Sequence, residues 1–173
     1  MASGTIILFP TEMEAAPLRR LRPDARIAIC GVGMAACAAA VAALLPQLAG
    51  GQRLILAGIA GAYGERAAVG EAVEVVCERT AELPGRFVGE YRPTGVATGL
   101  RGVASNTVHG RGCEAGEASI GNMEGAAFFA VCRAAGVCCA EIRAVSNRVG
   151  DDFSLWRIDE ALAALTAALA DTI

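Results

Sequence analysis

The sequence contains no lysine and a single histidine, His109, which falls in a predicted loop. Its fifteen basic residues are therefore all arginines, and they are scattered along the chain rather than clustered. The net charge is -3 and the isoelectric point is near 5.2, so the chain lacks the basic patch of a nucleic-acid-binding surface. A small-molecule partner is expected instead.

No C-x-x-C spacing occurs among the seven cysteines. The odd number and the spacing favour neither a disulfide framework nor a zinc site, so no metal is predicted. Cysteines in apolar segments act as small hydrophobic residues, and reduced thiols are expected in a cytoplasmic protein.

Long hydrophobic runs are also missing, because the apolar run that starts at Met34 is broken at Pro46, well short of the ~20 residues that span a bilayer. The N-terminus lacks the positive charge of a signal peptide. We therefore expect a cytoplasmic protein with no membrane contact. A length of 173 residues with 54% hydrophobic content predicts a single domain over residues 1–173.

Short β-type runs alternate with helical stretches along the chain, which predicts an α/β protein with a largely parallel sheet. Strands are predicted at 5–9, 26–30, 53–56, 71–78, 102–108 and 137–145, with 71–78 half-exposed. Helices are predicted at 13–21, 35–48 and 123–135, and a closing helix has the inner stripe Leu155, Ile158, Leu162, Leu165 and Leu169. Residues 79–101 give no firm prediction.

Glycine-rich or polar segments are predicted to form turns at the carboxyl ends of four strands. They lie around Glu12 and Glu14 and at residues 31–33, 58–61 and 143–147. Open α/β sheets bind ligands at this edge, so these segments are expected to converge on one site.

The segment Gly31-Val32-Gly33-Met34-Ala35-Ala36 matches the dinucleotide-binding pattern G-x-G-x-x-A. Such a site would also require an acid roughly 20 residues further on to hold the ribose, and the chain offers the apolar run 54–58 there. We therefore interpret these glycines as a tight turn that lets a helix pack closely on the preceding strand.

Glu12 and Glu14 start a helix, where acids complement the helix dipole. Glu124 is less easily explained, because a carboxylate beside an apolar helix is costly to bury without hydrogen-bond partners. Arg143 follows an apolar strand and is expected to pair with one of these acids.

Three segments together resemble the nucleoside phosphorylase and nucleosidase superfamily. They are Glu12-Met13-Glu14, Asn122-Met123-Glu124-Gly125-Ala126-Ala127 and Arg143-Ala144-Val145-Ser146-Asn147. The resemblance covers most of the chain except residues 79–101, which look contracted around the pocket for the 5' substituent. It implies a single-domain three-layer fold with a mixed, largely parallel central sheet flanked by helices. It also implies a homo-oligomer, with a dimer favoured, and no metal or organic cofactor.

The resemblance assigns roles to individual residues. Glu14 would activate the attacking water with Arg143 nearby, and Glu124 would hold the ribose hydroxyls with Met123 packed against the sugar. The remaining residues would surround the purine: Ser146, Asn147, Ala60, Gly61, Asn106, Thr107 and Val108. Two carboxylates suit this chemistry, because glycosidic cleavage develops positive charge on the sugar and requires an activated water.

Asn147 points to the base that leaves. Related nucleosidases for adenine nucleosides have Asp at this position, whereas an amide can accept from a protonated N7 and donate to a 6-oxo group. The implied reaction is release of hypoxanthine from the purine nucleoside futalosine. The alternative for Asn147 is a plain turn residue after the strand.

Three other functions remain open: a methylthioadenosine or adenosylhomocysteine nucleosidase, a catalytically silent nucleoside-binding protein, and a phosphorylase. Phosphorolysis is disfavoured because Glu12 and Glu14 occupy the place where phosphorylases carry a phosphate-binding loop.

Overall fold

The computed structural model describes residues 4–95, 98–110 and 114–172. Within them, eight strands and four α-helices form the main framework. In chain order these are β1 (Thr5–Phe9), α1 (Glu12–Leu21), β2 (Arg26–Ile29), α2 (Met34–Leu44), β3 (Arg53–Ala62), β4 (Ala72–Arg79), β5 (Glu90–Tyr91), β6 (Gly102–Thr107), β7 (Ile120–Asn122), α3 (Gly125–Ala135), β8 (Cys138–Arg148) and α4 (Ile158–Thr172). Short 3-10 turns lie at Leu45–Gln47, Gly85–Phe87 and Phe153–Leu155.

One mixed sheet contains all eight strands in the order β2-β1-β3-β7-β6-β4-β5, and β8 pairs with both β3 and β4. Strands β3, β7, β6, β4 and β8 therefore close into a ring. The pairs β1–β2, β1–β3, β3–β8, β4–β6 and β6–β7 are parallel, and β3–β7, β4–β5 and β4–β8 are antiparallel.

The core lies in two layers, one on each face of the sheet. In β1, Ile6 and Leu8 pack on the side of α2 and α3, whereas Ile7 and Phe9 pack on the side of α1 and α4. Strands buried on both faces are continuously apolar, which explains the run Ile6-Ile7-Leu8-Phe9. This three-layer α/β architecture confirms the predicted fold class.

Strands β3 and β8 are longer than predicted. They pair in parallel from Arg53 and Cys138 to Ala62 and Arg148, with a register shift between Ala60 and Gly61. The segments 58–61 and 143–147 were expected to form turns, and this expectation was wrong. The glycine at position 58 reflects crowding within the strand, because a Cβ there would lie 2.6 Å from the Arg143 guanidinium.

Three smaller expectations also differ from the structure. Strand β4 is mostly buried rather than half-exposed, because it is part of the ring and pairs with β8. Helix α2 ends at Leu44, where a 3-10 turn containing Pro46 follows. Helix α3 begins at Gly125 rather than Met123. It ends at Ala135, and Gly136 caps it as predicted, with φ of 66°.

The six cysteines among the described residues are free thiols, and all of them are buried except Cys138. Most pack in the core as the sequence predicts. Cys113 lies outside the described residues.

Candidate active site

Two adjoining cavities open where the carboxyl ends of β1, β3 and β8 meet the segment that leads into α3. The first, here called the carboxylate cavity, has a volume of about 280 Å³ and includes Glu14, Glu124 and Arg143 in its lining. The second, called the apolar cavity, has a volume of about 330 Å³ and includes Tyr63, Val108 and Val149. Six residues line both: Gly61, Gly121, Asn122, Met123, Asn147 and Trp156.

Glu14 lies in the first turn of α1 and is only 5% exposed. Thr11 caps this helix by accepting from the Glu14 amide, and its hydroxyl donates to Glu14 Oε2 at 2.6 Å. The backbone N–H of Ile59 donates to Oε1 at 3.0 Å. Glu12, by contrast, has a side chain that is 71% exposed and lies 3.4 Å from Arg19. Of the two acids, the structure therefore brings only Glu14 to the cavity.

Glu124 directly precedes α3 and is 3% exposed. Its Oε1 accepts from the backbone N–H of Gly33 at 2.9 Å, and its Oε2 accepts from Arg143 at 3.1 Å. Gly33 has φ of 92°, a conformation that favours glycine. The turn at residues 31–33 therefore presents a backbone donor to a buried carboxylate, a role that the sequence did not reveal.

Arg143 connects the acids of the site and is 1% exposed. Its Nε donates to Glu141 at 2.7 Å, and its Nη2 donates to both Glu124 and Asn122 at 3.1 Å. Burial alone would lower the pKa of Arg143, but the negative charge shared among its acidic neighbours, which include Glu141 and Glu124, and the hydrogen bond to Glu141 outweigh burial and raise the pKa. Arg143 is therefore a permanent cation, paired with acids as the sequence predicts.

Asn147 is 5% exposed and has a fixed amide orientation. Its Nδ2 donates to the carbonyl oxygen of Arg148 at 2.7 Å, and its Oδ1 accepts from the Ser146 hydroxyl at 2.8 Å. Because a carbonyl oxygen can only accept, the nitrogen must face Arg148. One N–H and one lone pair of the amide stay available at the boundary of the two cavities.

The remaining predicted site residues are divided between the cavities and the core. Ala60 and Met123 line the carboxylate cavity, Gly61 lines both, and Val108 lines the apolar cavity. Asn106 and Thr107 line neither cavity, although the resemblance placed them beside the base.

Their side chains are instead held by buried hydrogen bonds. The Asn106 amide donates to the carbonyls of Glu114 and Ala115, and the Thr107 hydroxyl donates to Glu78.

Several residues that support the site were missed by the sequence interpretation. Glu141 could have been suspected, because it is the one carboxylate inside the apolar strand β8. Trp156 was assigned no role from the sequence, yet it lines both cavities. Its buried Nε1 has no acceptor among the described residues.

The described residues contain no group of three or more His, Cys, Asp or Glu side chains arranged to hold a metal ion. Within the same ranges, no helix has both the length and the apolar character needed to cross a membrane.

Comparison with known proteins supports the resemblance. The model of the phosphorylase superfamily matches residues 103–173. A futalosine hydrolase from Thermus thermophilus is 35% identical, over 95% of this chain and 92% of that protein.

Solved structures share the fold at low sequence identity. A futalosine hydrolase of Helicobacter pylori superposes with a TM-score of 0.81 at 14% identity, over 99% of this chain and 97% of that one. A 5'-methylthioadenosine/S-adenosylhomocysteine nucleosidase of Campylobacter jejuni gives a TM-score of 0.75 at 18% identity, over 98% and 99%. On the strength of the 35% identity over nearly its whole length, the chain belongs to the futalosine hydrolase family of the phosphorylase superfamily.

Proposed function

We propose that this protein is an N-ribosyl hydrolase that cleaves the N-glycosidic bond of futalosine and releases hypoxanthine. The observation that carries the proposal is the pairing of two buried carboxylates, Glu14 and Glu124, in one cavity beside the oriented amide of Asn147. The Thermus thermophilus relative is named as a futalosine hydrolase, which supports the proposed substrate.

Glu14 is the general base in this proposal. The Thr11 hydroxyl and the Ile59 amide hold its carboxylate, and each carboxylate oxygen retains a lone pair for a water molecule. Glu14 takes a proton from that water as the oxygen attacks C1' of the ribose. Arg143 lies close by, since a Cβ on Gly58 would be 2.6 Å from its Nη1 and 3.0 Å from Glu14 Oε1.

Glu124 binds the sugar. Gly33 and Arg143 fix its carboxylate, and the remaining lone pairs accept from the 2' and 3' hydroxyls. The negative charge also stabilises the oxocarbenium-like sugar of the transition state. Met123 packs against the sugar from the same segment.

Asn147 recognises the leaving base. The departing base takes a proton from solvent at N7, and Glu14 later returns to solvent the proton that it took from the attacking water. The free lone pair of the Asn147 amide accepts from the resulting N7–H, and its free N–H donates to the 6-oxo oxygen. Ser146 fixes the amide from the other side, while Ala60, Gly61 and Val108 provide walls for the ring.

Water is favoured over phosphate as the nucleophile. Among the described residues that line the carboxylate cavity, Arg143 is the one cation, and it already binds Glu124 and Glu141. A phosphate ion would therefore meet the Glu14 carboxylate without a free cation to offset the repulsion.

Incubation of the purified protein with futalosine, inosine and methylthioadenosine, with and without phosphate, tests the proposal. We expect hypoxanthine and free sugar from futalosine, independent of phosphate. Adenine without hypoxanthine would show a nucleosidase of the methylthioadenosine class, and tight binding without turnover would show a silent binding protein. Sugar phosphate would show phosphorolysis.

The variant Glu14→Gln should lose turnover by about 100-fold to 10,000-fold while still binding nucleoside. Glu12→Gln is the matched control, because Glu12 lies in the same helical turn but points to solvent. Equal activity of Glu14→Gln and wild type would remove Glu14 from the role of base.

We also propose a cytoplasmic homodimer. The free thiols fit a reducing compartment. Helices α2 and α3 leave an apolar surface around Leu45 and Val131, with exposed alanines at positions 35, 36, 39, 42, 43, 134 and 135. A second copy packed on this surface would bury it. Light scattering should give twice the chain mass for wild type and a monomer for Val131→Arg.

A further inference from the structure

Two fully buried carboxylates, Glu78 and Glu141, meet behind the active site. Glu78 lies on β4 and Glu141 on β8, and these strands are neighbours in the ring. Both side chains reach the first residue of α3, since a Cβ on Gly125 would lie 2.5 Å from Oε2 of Glu141 and 2.5 Å from Oε1 of Glu78. Two negative charges this close in the interior would repel strongly.

The surroundings of Glu78 fit an ionised carboxylate. The Thr107 hydroxyl donates to Oε2 at 2.6 Å, because its own oxygen already accepts from the Ala126 amide. The Asn122 amide nitrogen donates to Oε1, because Asn122 Oδ1 accepts from two backbone amides and from Arg143. Both oxygens of Glu78 therefore receive hydrogen bonds.

The surroundings of Glu141 are asymmetric. Its Oε1 accepts from Arg143 Nε at 2.7 Å, whereas its Oε2 has no partner among the described residues although it is completely buried. An ionised oxygen left without a donor in the interior is costly. A protonated Oε2 would instead be a donor, and Glu78 Oε1, which lies equally close to the Cβ position of Gly125, is the acceptor near it.

We infer that Glu141 carries a proton on Oε2 at neutral pH and donates it to Glu78, so that the two residues form an acid–carboxylate pair. Glu141 is then a positioning residue: it orients Arg143 as a neutral acceptor and leaves the guanidinium charge to Glu124.

The balance of charges supports this assignment. The ionisable groups that act on Glu141 are Glu78 from β4, Arg143 from β8 and Glu124 from the start of α3. Burial and the Glu78 charge raise the pKa of Glu141 well above its usual value, and Arg143 opposes them only in part. With Glu141 neutral, the Arg143 cation faces three carboxylates, Glu14, Glu78 and Glu124, instead of four.

The consequence for catalysis rests on the proposed function. An ionised Glu141 would compete with Glu124 for Arg143 and pull the guanidinium away from the sugar site. Turnover should therefore fall at alkaline pH as Glu141 loses its proton.

Two amide variants test the inference. In Glu141→Gln, the amide oxygen can accept from Arg143 and the amide nitrogen can donate to Glu78, so we expect kcat/KM within about threefold of wild type and a weaker alkaline loss. In Glu78→Gln, an amide replaces an acceptor that already binds two donors, so we expect a loss of about tenfold or more. Thermal melting shows whether each variant is folded.

Infrared spectroscopy gives a readout that does not depend on the substrate. Wild type at pH 7 should show the carbonyl band of a protonated carboxyl group, and Glu141→Gln should lack it. A missing band in wild type, or an unchanged band in the variant, would overturn the inference.

A folded Glu141→Gln that loses more than tenfold in turnover would also overturn it, because Glu141 would then act as an anion. If the variant does not fold, the presence or absence of the protonated-carboxyl band in wild type at pH 7 decides whether the inference stands. An enzyme that cleaves a different nucleoside would still show this band. Failure of the proposed function can therefore be distinguished from failure of the inference about Glu141.

Discussion

Replacing Asn147 by Asp changes one NH2 group to an oxygen 2.7 Å from the carbonyl oxygen of Arg148. If the new carboxyl is ionised, two oxygens face each other. If it is protonated, its only O–H donates to the carbonyl oxygen of Arg148. In neither state does the side chain keep a donor for a 6-oxo group, whereas an ionised carboxylate can still accept from a 6-amino group.

The size of the effect follows from the burial of Asn147, which is 5% exposed. A hydrogen bond left unmade in such a place costs about 1–3 kcal/mol. Since ~1.4 kcal/mol corresponds to a factor of ten, the preference for a 6-oxo purine should fall by roughly tenfold to hundredfold.

The measurement is kcat/KM for two nucleosides that differ only in a 6-oxo or a 6-amino group, in competition. Ser146→Ala is the control, because it removes the bond to Oδ1 and leaves the Nδ2 contact in place. The ratio of kcat/KM for the 6-oxo nucleoside to that for the 6-amino nucleoside should stay near the wild-type value in Ser146→Ala. An unchanged ratio in Asn147→Asp would refute the reasoning and return Asn147 to an ordinary residue of β8.

Three further predictions follow from the same geometry. Gly58→Ala places a Cβ 2.6 Å from Arg143 and should lower kcat by about tenfold or more, while Gly85→Ala, whose Cβ would contact nothing, should leave it unchanged in steady-state assays. Trp156→Phe removes the unpartnered N–H and should raise KM by about two- to tenfold if a substrate acceptor binds there, with little change in melting temperature. Burial raises the pKa of Glu141 in the folded protein, so the unfolded chain releases this proton at a lower pH than the folded one. The free energy of unfolding should therefore fall as the pH rises above about 4.5. Urea titrations at several pH values should show a weaker fall for Glu141→Gln.

The α/β class and the edge at which the site forms were predictable from the sequence because both depend on local pattern, whereas the three layers were implied by the resemblance. Alternation of Ile6 and Leu8 with Ile7 and Phe9 fills two cores from one strand, and strand ends in an α/β sheet are ligand sites. The closed ring of strands was not predictable in this way. It depends on β8 pairing with both β3 and β4, contacts between residues far apart in sequence.

The prediction of a turn at the glycine-rich residues 58–61 was wrong for a related reason. Glycine in a sequence indicates a turn or a close approach, and the two have the same local signature. At residues 58–61 the glycines mark a close approach: strand β3 continues through them, and the missing side chain of Gly58 makes room for Arg143. A turn and a close approach can be distinguished here only from the position of Arg143, which lies 85 residues further along the chain.

The two buried acids of the candidate site show why carboxylates can be singled out from a sequence while the groups that support them cannot. Glu124 stands out because a carboxylate in an apolar setting needs donors, whereas Glu14 was singled out only by the resemblance. In the structure both acids are buried and held by donors. Those donors include the backbone amides of Ile59 and Gly33, and almost every residue carries such a group. A sequence can therefore show that a buried acid must be stabilised without showing by what. It follows that substitutions at Ile59 which keep the strand should preserve the Glu14 contact. A proline there would remove the donor to Oε1 and leave the carboxylate held by the Thr11 hydroxyl alone.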